Sequence, residues 1–397
     1  MIERDKYLKE LIDFRDTNLI KVVTGIRRCG KSTLFELYQE YLKENGVSNE
    51  QIISVNFEDL EFEELQNYKT LYKYVKDRLI PDKMNYVFLD EIQAVPQFQK
   101  AVDSLFIQKN CDVYITGSNA YLLSGELATL LTGRYVEIKM QPLSFKEYLS
   151  AMPDRTDINR KYTAYLMNSS FPGALELKTY KKIREYLSGI YHTIIMKDVV
   201  ARLKIQDIFM LESIASYMFD NIGNICSTKK IADTMISAGR SISVHTVERY
   251  LKALIDSFVL YRVPRYDVKG KQLLKTGEKY YIADIGMRYY LLGTKLSDYG
   301  HMLENIVYLE LLRRGYEVYV GKVGTKEVDF IAIGENGTEY YQVAYTVRDE
   351  VTLNREINSL DDIKDHNPKY LLTMDDEPDA DYNGIKKINA IDWLLKE

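Results

Sequence analysis

Nine consecutive residues constrain this chain more than any others. Gly25-Ile26-Arg27-Arg28-Cys29-Gly30-Lys31-Ser32-Thr33 fits G-x-x-x-x-G-K-[ST], directly after the run Ile20-Lys21-Val22-Val23-Thr24 and directly before the helical run LFELYQEYLK. A phosphate-binding loop needs that context, because glycines let backbone N–H groups curl around phosphate oxygens and the helix start adds the positive end of its dipole. Gly25, Arg28, Cys29, Gly30, Lys31, Ser32 and Thr33 are therefore candidate nucleotide contacts. Lys31 would face the β- and γ-phosphates and the Ser32 hydroxyl would ligate Mg²⁺, so the implied ligands are ATP or ADP and Mg²⁺. At ordinary glycine usage the string should arise by chance in only about 1% of chains of this length. The flanking strand and helix argue against a mere glycine turn that caps a helix.

A second element supports the first. Val87-Phe88-Leu89-Asp90-Glu91 is an apolar strand ending in two acids, the Walker B arrangement, with Asp90 placed to hold the Mg²⁺ shell and Glu91 to polarise the attacking water. Strands often end in solvated acids, but the phosphate loop upstream favours the functional reading. An acid directly after Asp90 also favours water over another phosphate acceptor, hence hydrolysis. The strand Val113-Tyr114-Ile115-Thr116 runs into Gly117-Ser118-Asn119, where Ser118 and Asn119 are candidate sensors of the γ-phosphate or caps of the next helix. Arg134, entering the strand Tyr135-Val136-Glu137-Ile138, reads as an arginine finger acting in cis or across a subunit interface, or else as a surface ion pair.

The chain is long enough, at 397 residues, for two to four domains. Strands at residues 20–24, 52–56, 86–90, 113–116 and 135–138 alternate with helical stretches, which predicts a doubly wound parallel α/β domain over 1–142. Helical periodicity from LSFKEYLSAM onward predicts a lid over 143–204. Thr228 to Ala238, AGRSIS, Val244 to Phe258 and the strand Val259-Leu260-Tyr261-Arg262-Val263 give the order of a winged helix-turn-helix, over 205–295. From about Met302 the order helix, strand, strand, strand, helix predicts a separate α/β unit over 296–397. Cys29, Cys111 and Cys226 are odd in number and far apart, which predicts reduced thiols and no structural zinc. With a charged start and no long apolar run, the expected location is the cytoplasm, with no membrane partner.

The net charge of −5 is unevenly spread. Between Ser227 and Lys275 ten Lys or Arg stand against four Asp or Glu, whereas residues 349–397 carry six against thirteen. Charge acts locally because salt screens it beyond about 10 Å, so the basic segment points to a polyanion such as double-stranded DNA. His245, Thr246, Arg249 and Lys252 would decorate the exposed face of a recognition helix, and Arg265, Lys269 and Lys271 a basic wing. A solvated basic face, or a winged helix used for protein contacts, is the alternative.

GIRRCGKST, FLDEIQ, ITGSNAYLL, TGRY and QPLSFKEYL follow one another in a way that resembles a widespread family of prokaryotic AAA+-type ATPases, often with a C-terminal domain of unassigned function. The resemblance implies an ATP-binding core with catalytic roles for Glu91, Asn119 and Arg134, metal ligation by Ser32 and Asp90, and assembly as a homo-oligomer. The C-terminal part resembles restriction-endonuclease-like domains. Glu304 matches a helical acid and Asp329 the first strand acid, but Gln342 stands where a second acid is expected and Ala344 where a lysine is expected. Losing an anionic ligand and a cation argues against nuclease chemistry and for a degenerate site on a retained fold. The expected fold is thus a P-loop NTPase α/β core with helical lid, winged helix-turn-helix and a restriction-endonuclease-like α/β domain. The expected function is Mg²⁺-dependent ATP hydrolysis that drives conformational change on or beside DNA, with an ATP-operated protein-binding switch or an ATP-dependent nuclease as the alternatives.

Overall fold

The computed structural model describes residues 2–117, 131, 133–154, 156–274, 277–293 and 298–396. The chain divides into two compact units, Met1–Pro142 with Asp256–Phe258, and Leu143–Ile255 with Val259–Glu397.

The first unit is built on a five-stranded parallel sheet of order β2-β3-β4-β1-β5. Its strands are β1 (Ile20–Gly25), β2 (Ile52–Asn56), β3 (Asn85–Asp90), β4 (Cys111–Gly117) and β5 (Tyr135–Met140), with helices α1 (Asp5–Asp13), α2 (Lys31–Glu44), α3 (Tyr68–Lys76) and α4 (Phe98–Phe106). β1 and β3 are buried along their whole length, as expected of strands covered on both faces. One face packs Val22, Val55, Val87, Leu89 and Ile115 against Leu71 and Val75 of α3 and Val102 and Leu105 of α4. α2 turns Leu34, Phe35, Tyr38 and Leu42 inward, a spacing that aligns them on one helical face.

A buried ion pair sits inside this sheet. Lys21 on β1 is fully buried and pairs with Asp112 on β4 at 2.5 Å. Asp112 also accepts from the Tyr114 hydroxyl at 2.7 Å and from the Asp16 backbone N–H at 2.9 Å, and Lys21 donates to the Thr17 carbonyl at 3.2 Å. Burial pulls the Lys21 ammonium below its ordinary range, and Asp112 opposes that pull.

The second unit opens with helices α5 (Phe145–Ser150), α6 (Ile158–Asn168) and α7 (Tyr180–Thr193), the last running into π-helical turns over Ile194–Ala201. Helices α8 (Ile208–Asp220), α9 (Thr228–Ser237) and α10 (Val244–Asp256) follow, then β6 (Leu260–Val263), β7 (Arg265–Asp267), β8 (Gln272–Leu273), β9 (Lys279–Ile282), α11 (Ile285–Leu292) and α12 (Tyr299–Arg313). The chain ends with β10 (Glu317–Val323), β11 (Lys326–Gly334), β12 (Gly337–Ala344), α13 (Glu350–Asp361), β13 (Lys369–Thr373), β14 (Ala380–Tyr382), β15 (Ile385–Asn389) and α14 (Ala390–Leu395). All ten residues from Met302 to Leu311 of α12 are buried, as in a helix enclosed on all sides. Among the described residues no helix is long and apolar enough to cross a membrane.

One expectation is revised here. β6 and β9 form a two-stranded antiparallel pair, but Arg265–Lys271 is not a loop projecting from it. β7 pairs in parallel with β10 and antiparallel with β8, extending an eight-stranded sheet of order β14-β15-β13-β12-β11-β10-β7-β8. The physical reason is the edge of β10, whose N–H and C=O groups need a partner, together with the Tyr266 ring packing 5.7 Å from that of Tyr319.

Candidate functional site

The loop after β1 lies at the carboxyl end of an interior strand, between β4 and β5, where open parallel α/β sheets bind ligands. Its glycines are required by space and by backbone. A Cβ on Gly25 would stand 2.1 Å from the Met140 carbonyl oxygen, and Gly30 has φ +105°, the left-handed region. Arg28 is also left-handed, at φ +68°. Arg4, which no local sequence signal marks, fixes the loop by donating to the carbonyls of Cys29 at 3.0 Å and Gln141 at 2.6 Å. Cys29 itself is fully buried, and burial pushes its thiol above the ordinary range.

Lys31 opens α2 with its ammonium buried, 3.3 Å from the Gly25 carbonyl oxygen, 3.4 Å from that of Ile26 and 3.7 Å from Glu91 Oε1. Asp90 ends β3 and accepts from the hydroxyls of Ser32 and Thr116. Burial raises its carboxyl above the usual range, while those two hydrogen bonds oppose the shift. Glu91 adopts φ 54°, ψ 46°; its N–H donates to Thr116 Oγ1 at 2.9 Å, and Oε2 accepts from Gln93 Nε2 at 2.5 Å. Thr116 on β4 thus bridges both acids. Sequence reading did not single out Thr116. The nearest available signal was a hydroxyl closing an apolar run.

Ser32, Asp90 and Thr116 form a set of hard oxygen donors, and a buried lysine faces them, so the residues fit a nucleotide phosphate with Mg²⁺. Ser118 and Asn119 lie outside the described residues. β5 runs parallel to β1 with Tyr135 opposite Ile20 and Met140 opposite Gly25, so Arg134 sits at the amino edge of the sheet, about 20 Å along the strand from its own phosphate loop at 3.3 Å per residue. There its guanidinium lies 5.6 Å from the Phe106 ring centre. A parallel strand delivers its first residues to the edge opposite the nucleotide, so the position of Arg134 gives no support to a finger in cis.

In the segment of α9 and α10, Ser243 accepts from the Thr246 N–H at 3.1 Å and starts α10. His245, Arg249 and Lys252 are exposed and Thr246 half-buried, while Val247, Tyr250, Leu251 and Leu254 face inward. Lys269 and Lys271 are exposed on the β7–β8 hairpin, and Arg265 is half-buried.

Glu304, Asp329 and Gln342 converge, with an unforeseen lysine among them. Lys279 of β9 is buried 2.7 Å from Glu304 Oε1 and 3.4 Å from Asp329 Oδ1. The Gln342 side chain accepts from the Asp329 N–H at 3.3 Å and donates to Glu356 at 2.6 Å. Burial, then the neighbouring Glu304, pushes the Asp329 carboxyl up to about 7.

An AAA domain family matches residues 17–149, and a domain of unknown function, DUF8612, matches residues 159–298. The chain is 40% identical over 400 residues to an uncharacterized protein of Haemophilus influenzae, covering 100% of this chain and 99% of that protein. It is 30% identical over 401 residues to uncharacterized protein MJ1544 of Methanocaldococcus jannaschii, covering 94% and 85% respectively. The solved Walker-type ATPase PABY2304 of Pyrococcus abyssi superposes with a TM-score of 0.51 at 16% identity, over 73% of this chain and 96% of that one, a likeness of fold.

Proposed function

This chain belongs to one family with the Haemophilus and Methanocaldococcus proteins, within the P-loop AAA-type ATPases, and from that premise we propose that it is a Mg²⁺-dependent ATP hydrolase acting on or beside DNA. The observation that carries the reading is the convergence of Lys31, Ser32, Asp90 and Glu91 at the carboxyl ends of β1 and β3. Lys31 meets the β- and γ-phosphates, with loop N–H groups around the same oxygens. Ser32 and Asp90 would hold the Mg²⁺, which would supply charge neutralisation at the phosphates. Glu91 orients water and takes its proton as the water oxygen joins the γ-phosphorus and the bond to the bridging oxygen breaks. The Glu91 side chain is held for this by Gln93, and its backbone by Thr116. The test is ATP turnover with Mg²⁺ and with excess chelator, with and without double-stranded DNA; turnover indifferent to chelation retires the assignment.

DNA contact rests on the exposed His245, Arg249 and Lys252 of α10 and on the lysines of the β7–β8 hairpin. Each phosphate neutralised releases counterions, so replacing Arg265, Lys269 and Lys271 together by alanine should weaken binding to unrelated sequences about equally and flatten the salt slope by roughly 2 to 3. Fluorescence anisotropy at several salt concentrations reads both; unchanged affinity at low salt removes the hairpin from the interface. A second reading, an ATP-operated switch for a protein partner, is favoured by Phe209, 78% exposed beside Arg240, whose guanidinium donates to the Phe209 carbonyl at 3.1 Å.

Arg134, remote along β5 from its own phosphate loop, is proposed to complete the site of a neighbouring subunit. Mixing Arg134→Ala with Lys31→Ala chains should then restore hydrolysis that neither shows alone, and specific activity should rise with protein concentration. Absence of rescue together with concentration-independent turnover would leave Arg134 a surface residue.

A further inference from the structure

The acids of the C-terminal part were expected to be an incomplete metal set, but a cation of the chain itself lies among them. Lys279 Nζ is 2.7 Å from Glu304 Oε1, 2.9 Å from Glu327 Oε1 and 3.4 Å from Asp329 Oδ1. An ammonium has three N–H donors, and here three carboxylates face it. These acids come from α12 and β11, whereas the lysine comes from β9, more than twenty residues earlier.

The surroundings are built for a positive centre. Tyr281 donates its hydroxyl to the same Glu304 oxygen at 2.5 Å, and the Val343 N–H donates to Asp329 Oδ2 at 2.9 Å. Gln342 and Glu356 close the far side, with Arg355 paired to Glu356 at 2.6 Å, and His301 on α12 is held by Asp298 at 2.6 Å. Glu304 and Asp329 are buried, so their charge must be balanced locally. A divalent ion needs carboxylate oxygens at about 2.0–2.6 Å, in the space that the ammonium fills, and would face its positive charge at close range.

We propose that Lys279 is the resident cation of this site, a tethered ammonium that gathers Glu304, Glu327 and Asp329 and keeps divalent ions out. The inference is independent of the ATPase reading. Removing the amine should convert the cluster into a Mn²⁺ or Mg²⁺ site.

The test uses the full-length, nucleotide-free chain in an Asp90→Asn background, so that the phosphate loop contributes no Mn²⁺, and counts bound Mn²⁺ by electron paramagnetic resonance. Without a Lys279 change, no Mn²⁺ should be attributable to the cluster, and adding Asp329→Asn should leave the count the same. Lys279→Ser should bind one additional Mn²⁺, at least about tenfold more tightly than Lys279→Ser combined with Asp329→Asn does, as ligand charge governs such affinity. Mn²⁺ should then raise the melting temperature of that variant, and Asp329→Asn should cancel both effects. Lys279→Gln combined with Glu327→Gln leaves less repulsion among the acids and should also gain Mn²⁺. A Mn²⁺ bound while Lys279 is present and lost on Asp329→Asn overturns the proposal. So does failure of both Lys279 variants to gain Mn²⁺, whether they fold without it or stay unfolded in millimolar Mn²⁺.

Discussion

Glu91→Gln is expected to bind ATP as the parent chain does and to hydrolyse it roughly 10²- to 10⁴-fold more slowly, the usual contribution of a positioned general base. The substitution keeps size, and a glutamine amide can still meet Gln93, so the strained φ of 54° at this position is retained and only the proton acceptor is lost. Lys31→Ala should differ in kind. The Lys31 ammonium is buried and held by loop carbonyls, and the other described side chains of the loop offer no equivalent buried cation at that point. Nucleotide binding should therefore disappear. Calorimetry with a non-hydrolysable ATP analogue and phosphate release under single turnover separate the two outcomes. Parent-rate turnover by Glu91→Gln would remove Glu91 from the chemistry while leaving the phosphate loop intact.

Asp112→Ala should destabilise the chain by about 3–5 kcal/mol, the cost of stranding a buried charge without its partner. Lys21 has no exposed surface and donates to Asp112 at 2.5 Å, while the Tyr114 hydroxyl and the Asp16 N–H lose their acceptor at the same time. Replacing both partners by apolar residues, Lys21→Met with Asp112→Leu, should recover most of that loss. Urea unfolding of the three proteins, followed by tryptophan-independent circular dichroism, measures it. An Asp112→Ala midpoint equal to that of the parent would mean that water or another acceptor reaches Lys21.

The phosphate loop and the two acids of β3 were legible because their chemistry is contiguous in sequence and their flanks repeat at strand and helix periods. Residues that act across the sheet were not. Arg4 reaches Cys29 and Gln141, and Lys279 reaches Glu304 and Glu327, through contacts that no spacing encodes. Arg134 needed a different kind of information: its position before a strand is legible in the sequence, but strand direction decides which edge of the sheet that position occupies. The basic hairpin followed the same rule, since charge counts record its lysines and not the exposed edge of β10 that captures β7.

The place of β1 between β4 and β5 sets a timetable for synthesis. The strand that carries the phosphate loop is made first among the strands, yet both of its neighbours come from residues 111–140. At about 5–20 residues per second, a ribosome needs roughly 5 to 18 s to add the chain from the end of β1 to the end of β4, during which β1 has no flanking strand. The carbonyl of Gln141 that anchors Arg4 arrives only after β5. The nascent chain must therefore hold the apolar run from Ile20 to Val23 unpaired until β4 emerges, and the edge of β1 that faces β5, with the Arg4 anchor, is completed later still.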